Sequence, residues 1–240
     1  MTDQNFANAG EGSLAGATAR GHFITFEGGE GAGKSTQIEL LAKRLRTGGL
    51  DVVVTREPGG SPGAEIIRHL VLAGVGKALG ADGEALLFAA ARDDHVRRVI
   101  DPALRRGAWV VCDRFLDSTR VYQGKLGQVD LRLIKAMERI TIGELQPDLT
   151  IVLDVPADIG LARARQRRGG AAADRFEAED IGFHRRLRDA FRQITIDDPA
   201  RCVLVPADAE VAVVAERVWT AVARKFGLPA SSSSFAVSGA

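Results

Sequence analysis

Several things that would each announce a class of protein are scarce in this chain. Cysteine occurs twice in 240 residues, as Cys112 and Cys202, each at the end of an apolar run, with no CxxC spacing and no histidine nearby. That excludes a disulfide scaffold and a cysteine-ligated metal site and leaves two plain buried thiols. No apolar stretch approaches the roughly 18 uncharged residues of a membrane span. The first 21 residues lack both the basic start and the continuous apolar centre of a secretory leader, so a cytoplasmic protein without membrane partners is expected. An excess of charge of one sign is also lacking: 32 basic residues face 31 acidic ones, for a net charge of +1. A chain built as one basic surface is thereby excluded, and no nucleic-acid partner is expected. With 45% hydrophobic and 26% charged residues it is not disordered throughout either. Lysine is the last scarcity, with six (Lys34, Lys43, Lys77, Lys125, Lys135, Lys225) among those 32 cations. The rest are arginine, the side chain suited to bidentate phosphate and carboxylate contacts.

Both ends read as tails. Residues 1–20 are small and polar, and 227–240 are serine-rich without amphipathic period, so both are expected to be disordered and outside a single domain at 21–226. Within it, apolar runs at 22–27, 51–55, 108–113, 149–154 and 202–206 read as strands. They are continuous rather than alternating, as strands buried on both faces of a parallel sheet are. Helical patterns at 34–47, 63–72, 83–106, 130–142, 156–168, 177–195 and 208–226 separate or follow them. The order predicts an α/β fold, a three-layer α/β/α sandwich around a five-stranded parallel sheet, with ligands outside the carboxyl ends of its strands.

At the end of the first strand stand Gly28, Gly29, Glu30, Gly31, Ala32, Gly33, Lys34, Ser35 and Thr36, a fit to GxxxxGK[ST] with a strand before it and a helix behind. Such a loop aims backbone N–H groups and a helix N-terminus at phosphates. Lys34 is expected to reach the β- and γ-phosphates of ATP, and Ser35 to ligate Mg²⁺. A GTPase switch needs NKxD and DxxG, but the only asparagines are Asn5 and Asn8 and no aspartate has glycine three positions on. Asp113 and Asp154 each end an apolar strand, so either can hold the metal; a turn or capping role serves Asp154 equally.

A phosphoryl acceptor needs a pocket of its own. Phe88 and Arg92, four apart on one helix face, can stack on a flat base and donate to its carbonyl edge, although Phe88 in so apolar a helix also reads as core. The run Asp113–Gly124 offers Arg114 for an anionic phosphate and Thr119, Tyr122 and Gln123 as polar tips at helical spacing. Thr55–Gly60, TREPGG, follows the second strand and brings Arg56 to the same edge. Arg163, Arg165, Arg167 and Arg168 crowd one helix end before Gly169–Ala173 and Asp174–Glu177. Repelling cations on a flexible segment suit a lid, about 163–177, that closes on transferring phosphate; a solvated basic face is the plainer reading. By themselves these residues reach phosphoryl transfer to something flat and anionic, with a non-catalytic nucleotide-binding module as the alternative.

The FITFE strand with GEGAGKST, TREPGG at 55–60, LLFAAAR at 86–92, CDRFLDSTRVYQG at 112–124 and the arginine lid with DRFE resemble the thymidylate kinase family over about residues 21–226. The resemblance implies a nucleoside monophosphate kinase fold, ATP- and Mg²⁺-dependent conversion of dTMP to dTDP in dTTP biosynthesis, and a homodimer. By position it implies that Phe88 stacks on thymine, Arg92 bonds its carbonyl and Thr119 reads its edge. Arg56 and Arg114 would hold the acceptor phosphate, Tyr122 would crowd the sugar 2′ position, Gln123 would lie near base or sugar, and Glu30 near the 3′-hydroxyl and metal. The phosphate loop lacks a basic residue before Lys34 and the basic residues lie in the lid instead, as in the bacterial type, which makes Arg163, Arg165, Arg167 and Arg168 catalytic candidates beside Lys34 and Arg114. A kinase for another nucleoside monophosphate is the nearest alternative.

Overall fold

A computed structural model describes residues 20–169 and 176–229. Of the expected tails at 1–20 and 227–240, residues 1–19 and 230–240 lie outside the described residues, as does the lid stretch from Gly170 to Arg175. Five strands, β1 (Phe23–Glu27), β2 (Val52–Arg56), β3 (Trp109–Asp113), β4 (Leu149–Asp154) and β5 (Cys202–Pro206), form one sheet in the order β2-β3-β1-β4-β5. Every pairing is parallel. β1 sits in the middle with all five of its residues buried, as its unbroken apolar run requires. Because β1 has β3 on one side and β4 on the other, its carboxyl end opens at the point where strand order reverses, the place where α/β sheets bind ligands.

Helices α1 (Lys34–Thr47) and α9 (Val211–Phe226) pack together on one face, over a core that includes Ile38, Leu41, Leu45, Trp219 and Val222. The other face carries α4 (Asp101–Arg105), α5 (Leu116–Thr119) and α8 (Ile181–Asp197), over cores around Phe115 and Leu116 and around Leu187 and Phe191. α2 (Pro62–Leu72), α3 (Gly80–His95) and α6 (Leu131–Ile142) pack beside these, and α7 (Ala157–Arg168) follows β4 and packs on α8. The predicted three-layer parallel fold is the one observed.

Among the differences from the expected elements, three matter here, while α8 and α9 begin later than expected, at Ile181 and Val211. The helix expected at 83–106 begins at Gly80 and is relaxed by one π turn, Val96–Ile100, before α4. Residues 116–126 are helical throughout, as α5 and a π segment at Arg120–Leu126, where only polar tips at helical spacing were legible. Finally, the fold continues past 226: Gly227 ends α9 in a left-handed conformation, Leu228 packs on the core, and Trp219 Nε1 donates to Pro229 O at 3.2 Å. Cys112 and Cys202 are both buried and free, as expected.

Candidate active site

The phosphate loop is held in shape from below. Gly31 has φ 67°, and a Cβ there would lie 1.9 Å from Gly160 O of α7; a Cβ on Gly160 would in turn lie 2.5 Å from Glu30 O. Only two glycines allow loop and helix to approach this closely. Gly33 then enters α1 at φ 91°, aiming the helix N-terminus at the cleft. Lys34 is buried, and its Nζ donates to the Gly28 and Gly29 carbonyls at 3.1 Å each. Burial, with the Arg114 cation nearby, holds its ammonium below the ordinary lysine value despite Asp113, Glu30 and Glu27.

The sheet register sets Asp113 beside Phe26 on one side and Arg56 on the other, so three strand ends converge. Ser35 Oγ donates to Asp113 Oδ2 at 3.1 Å, while Asp113 Oδ1 is buried with no hydrogen-bond partner among the described residues. A serine hydroxyl beside a carboxylate with an unused buried oxygen is an all-oxygen donor set that fits Mg²⁺. The other strand-end candidate is committed elsewhere. Asp154 takes Arg188 at 2.7 and 2.9 Å and Arg192 at 2.8 Å, and its carboxyl is lowered chiefly by the Arg188 bond.

Arg114 follows β3 in a left-handed conformation, φ 68°, unusual for a residue with a side chain. Its Nη2 donates to Glu30 Oε1 at 2.7 Å, its Nη1 to Gly28 O and Ser118 Oγ at 3.2 Å each, and its guanidinium lies 5.2 Å from the Tyr122 ring centroid. Tyr122 OH donates to Glu30 as well, at 3.3 Å. Burial alone would raise the Glu30 carboxyl, but Arg114 and Lys34 outweigh it and hold Glu30 below its ordinary value. Tyr122 is itself pushed up by burial, so it stays a neutral donor.

These residues line a cleft of about 390 Å³ that also takes in Ala32, Arg56, Arg68, Gln123, Arg167 and Phe176. Arg56 is exposed and pairs with Glu65 at 2.8 Å. On the far side of the phosphate loop a second cavity, about 600 Å³, runs between Gly31–Gly33, Thr36, Arg163, Arg167 and the turn Ala207–Val211.

The base-reading candidates lie one layer deeper than the cleft wall. Phe88 is half-buried and belongs to no core cluster, whereas Arg92 is 4% exposed. Arg92 donates Nε to Glu57 Oε2 at 2.8 Å and Nη2 to Thr119 Oγ1 at 3.0 Å. Glu57 is braced by His95 at 3.1 Å, and His95 by Thr55 at 2.6 Å. TREPGG thus does more than turn: through Glu57 it fixes the guanidinium of α3.

The lid arginines divide. Arg167 lines both cavities; Arg163 lines the second and donates to Ala207 O at 2.8 Å. Residues four apart share a helix face and those two apart do not, and Arg165 is exposed and lines neither cavity. Arg168 is held by Glu177 at 2.6 Å, and Arg167 reaches the other oxygen of the same carboxylate at 3.3 Å. Sequence reading grouped the four as equals, and the structure separates them. It passed over Gly160, Arg68, His95, Ser118 and Glu27, which carry no motif signal of their own, and the turn at 207–211, whose only signal was its place after the last strand.

Comparison with known proteins agrees with this geometry. The family model described as thymidylate kinase matches residues 26–218. A thymidylate kinase of Nitrobacter winogradskyi is 68% identical over 203 residues, covering 85% of this chain and 88% of that protein. One from Rhodopseudomonas palustris is 64% identical over 211 residues, covering 88% and 92%. The crystal structure of thymidylate kinase from Ehrlichia chaffeensis superposes with a TM-score of 0.69 at 34% identity, covering 85% of this chain and 99% of that one. A phosphate loop at the centre of a parallel sheet, an arginine-walled cleft beside it and relatives this similar over most of their length place the chain in the thymidylate kinase family.

Proposed function

We infer that this protein transfers the γ-phosphoryl group of ATP to dTMP, giving dTDP and ADP, as a step toward dTTP. The observation that carries the reading is the convergence of Lys34, Arg114, Arg56 and Arg167 on one cleft beside the phosphate loop, with a second cavity on the loop's other side. Two nucleotides need two pockets with cations between them. ATP lies with its phosphates along Gly28–Thr36 and its nucleoside in the cavity under Arg163 and Ala207–Val211. The acceptor phosphate meets Arg114 and Arg56, and its thymine faces Phe88, Arg92 and Thr119.

The attacking group is already a phosphate oxygen, so no strong general base is needed. Catalysis is alignment of acceptor and donor plus neutralisation of charge on the transferring group. Lys34 and Arg167 supply that neutralisation, and Arg114 holds the attacking oxygen. Ser35 and Asp113 would hold Mg²⁺, which when bound offsets phosphate charge. Glu30, kept ionised, orients Arg114 and Tyr122 and stands near the acceptor's 3′-hydroxyl. Gln123 completes the wall beside the sugar.

In this reading the working unit is residues 21–226, continued by the packed turn to Pro229, and the protein acts in the cytoplasm, where its nucleotides are made and used. It works as a homodimer, supported by exposed Ile66 and Leu70 on α2 and Leu86 on α3, helices that pack on each other. A coupled ADP-release assay across dTMP, dUMP, CMP, UMP, AMP and GMP tests the reaction. dTMP is expected to be the best acceptor, and Lys34→Ala to lose about 100- to 1000-fold or more in turnover with an unchanged circular dichroism spectrum. A better acceptor than dTMP, nucleotide binding with no acceptor-dependent turnover, or near-normal Lys34→Ala activity would overturn it.

A further inference from the structure

Glu27 ends β1 directly before the phosphate loop, and its side chain is fully buried. Neither nucleotide pocket is lined by it. A carboxylate in such a place is costly unless its oxygens are fully used, and all its partners come from one short segment. Oε1 accepts from Phe115 N at 2.8 Å and Ser118 N at 3.2 Å, and Oε2 accepts from Ser118 Oγ at 2.6 Å. That segment begins at Arg114, whose left-handed backbone is strained for a residue with a Cβ. Something must hold the chain there.

The link runs on to the guanidinium. Ser118 gives its one hydroxyl hydrogen to Glu27, so the lone pairs of Oγ are free to accept, and Arg114 Nη1 donates to them at 3.2 Å. The neighbouring carboxylate does not compete for Ser118, since Asp117 is bound by Arg201 at 2.6 and 3.0 Å. We propose that Glu27 is a positioning residue for dTMP: acting through Ser118, it fixes both the backbone and the guanidinium of Arg114 in the pose that receives the acceptor phosphate. This rests on the reading that Arg114 grips that phosphate.

The amide isostere shows why a carboxylate is required. Glutamine has one oxygen for three donors. If the oxygen faces Phe115 N and Ser118 N, the amide nitrogen donates to Ser118 Oγ and turns the hydroxyl hydrogen toward the Arg114 cation. If the amide is flipped, its NH₂ meets two backbone N–H groups. Either way the pose of Arg114 is lost without any change in side-chain volume.

Full-length Glu27→Gln, Ser118→Ala, the double variant and Arg114→Ala are compared in steady-state assays at pH 8, where Glu27 is ionised, with each substrate varied in turn. Glu27→Gln and Ser118→Ala are each expected to raise KM for dTMP about ten-fold, with KM for ATP within about two-fold of wild type. The double variant should be no worse than the weaker single one, because both break the same chain of bonds. An unchanged KM for dTMP in the single variants, an equal rise in both KM values, or additive losses would each overturn the proposal. Should Glu27→Gln fail to fold, Ser118→Ala decides alone. Arg114→Ala separates the two layers of inference. If it leaves KM for dTMP unchanged, the phosphate-gripping reading fails; if it raises KM while Glu27→Gln and Ser118→Ala do not, only the positioning role fails.

Discussion

Burial acts in opposite directions on the two ionisable groups that bracket the phosphate loop, lowering Lys34 and raising Glu27. The Glu27 carboxyl is pushed up to about 7, by burial first and the Asp117 carboxylate second, against the bonds from Ser118 and Phe115 and the Arg114 charge. Its consequence for stability has a definite sign. A carboxyl whose value is higher folded than unfolded favours the fold fully below the ordinary carboxylate range, and that contribution is lost as pH rises through about 7. Glu27→Gln carries no charge to bury, so it is expected to lose less stability than wild type between pH 5 and pH 8, whatever its stability at either pH. Urea titration at the two pH values checks this; an equal loss in both proteins would show that Glu27 is not the group responsible. A variant that is steadier yet binds dTMP less well would show that this carboxylate is kept at the expense of the fold, a common trade at active sites.

At the level of elements, α7 separates its arginines by its own geometry. Successive residues turn by about 100°, so Arg163 and Arg167 share the face toward the nucleotide cavities while Arg165 does not. Arg167→Ala is therefore expected to lower kcat by about a thousandfold, as loss of an arginine finger does, and Arg165→Ala by less than about threefold. Comparable losses in single-turnover assays would mean that the lid works as a diffuse positive field instead. Although the four arginines were grouped as equals from the sequence, the face shared by Arg163 and Arg167 was legible in their four-residue spacing. So were β1 through β5, because strands buried on both sides need unbroken apolar runs, and so was the phosphate loop, because its chemistry is written in consecutive residues. Gly160 was not legible. It matters only because it touches Glu30 O across a contact between elements far apart in the chain, and an isolated helical glycine gives no sign of what it approaches. The helical stretch after Phe115 was obscured for a related reason. Its inward-facing residues include Asp117, fully buried against Arg201, and a π turn shifts the face halfway along, so no clean apolar period survives.

For the molecule as a whole, a net charge of +1 conceals a division of labour. Ion pairs such as Arg97–Asp93, Arg98–Asp94 and Arg120–Glu138 are spread over the helices, whereas Arg56, Arg68, Arg114 and Arg167 meet on one wall, Arg56 with Glu65, Arg114 with Glu30 and Arg167 with Glu177 as their carboxylates. Composition averages over that difference, and so it correctly excluded a basic surface yet could not show a basic cleft. Apolar surface is divided in the same way. Ile66 is 65% exposed and Leu70, one turn on, 41%, while Leu86 of the adjoining α3 is 52% exposed. Exposed apolar side chains on two helices that pack together are costly in a monomer, and the proposed homodimer would cover them with a second copy. In the proposed homodimer, the double substitution Ile66→Asp with Leu70→Asp is expected to leave a monomer, read by light scattering, with the helical spectrum retained because neither side chain is in the core. The effect should reach the site. α3 carries Phe88 and Arg92 and packs directly on α2, so freeing the outer face should loosen the base-reading layer and raise KM for dTMP more than KM for ATP, whose loop hangs from the central strand. A monomeric variant with wild-type KM for both substrates would confine the dimer to stability, and a wild-type protein already monomeric at micromolar concentration would remove the dimer from the account altogether.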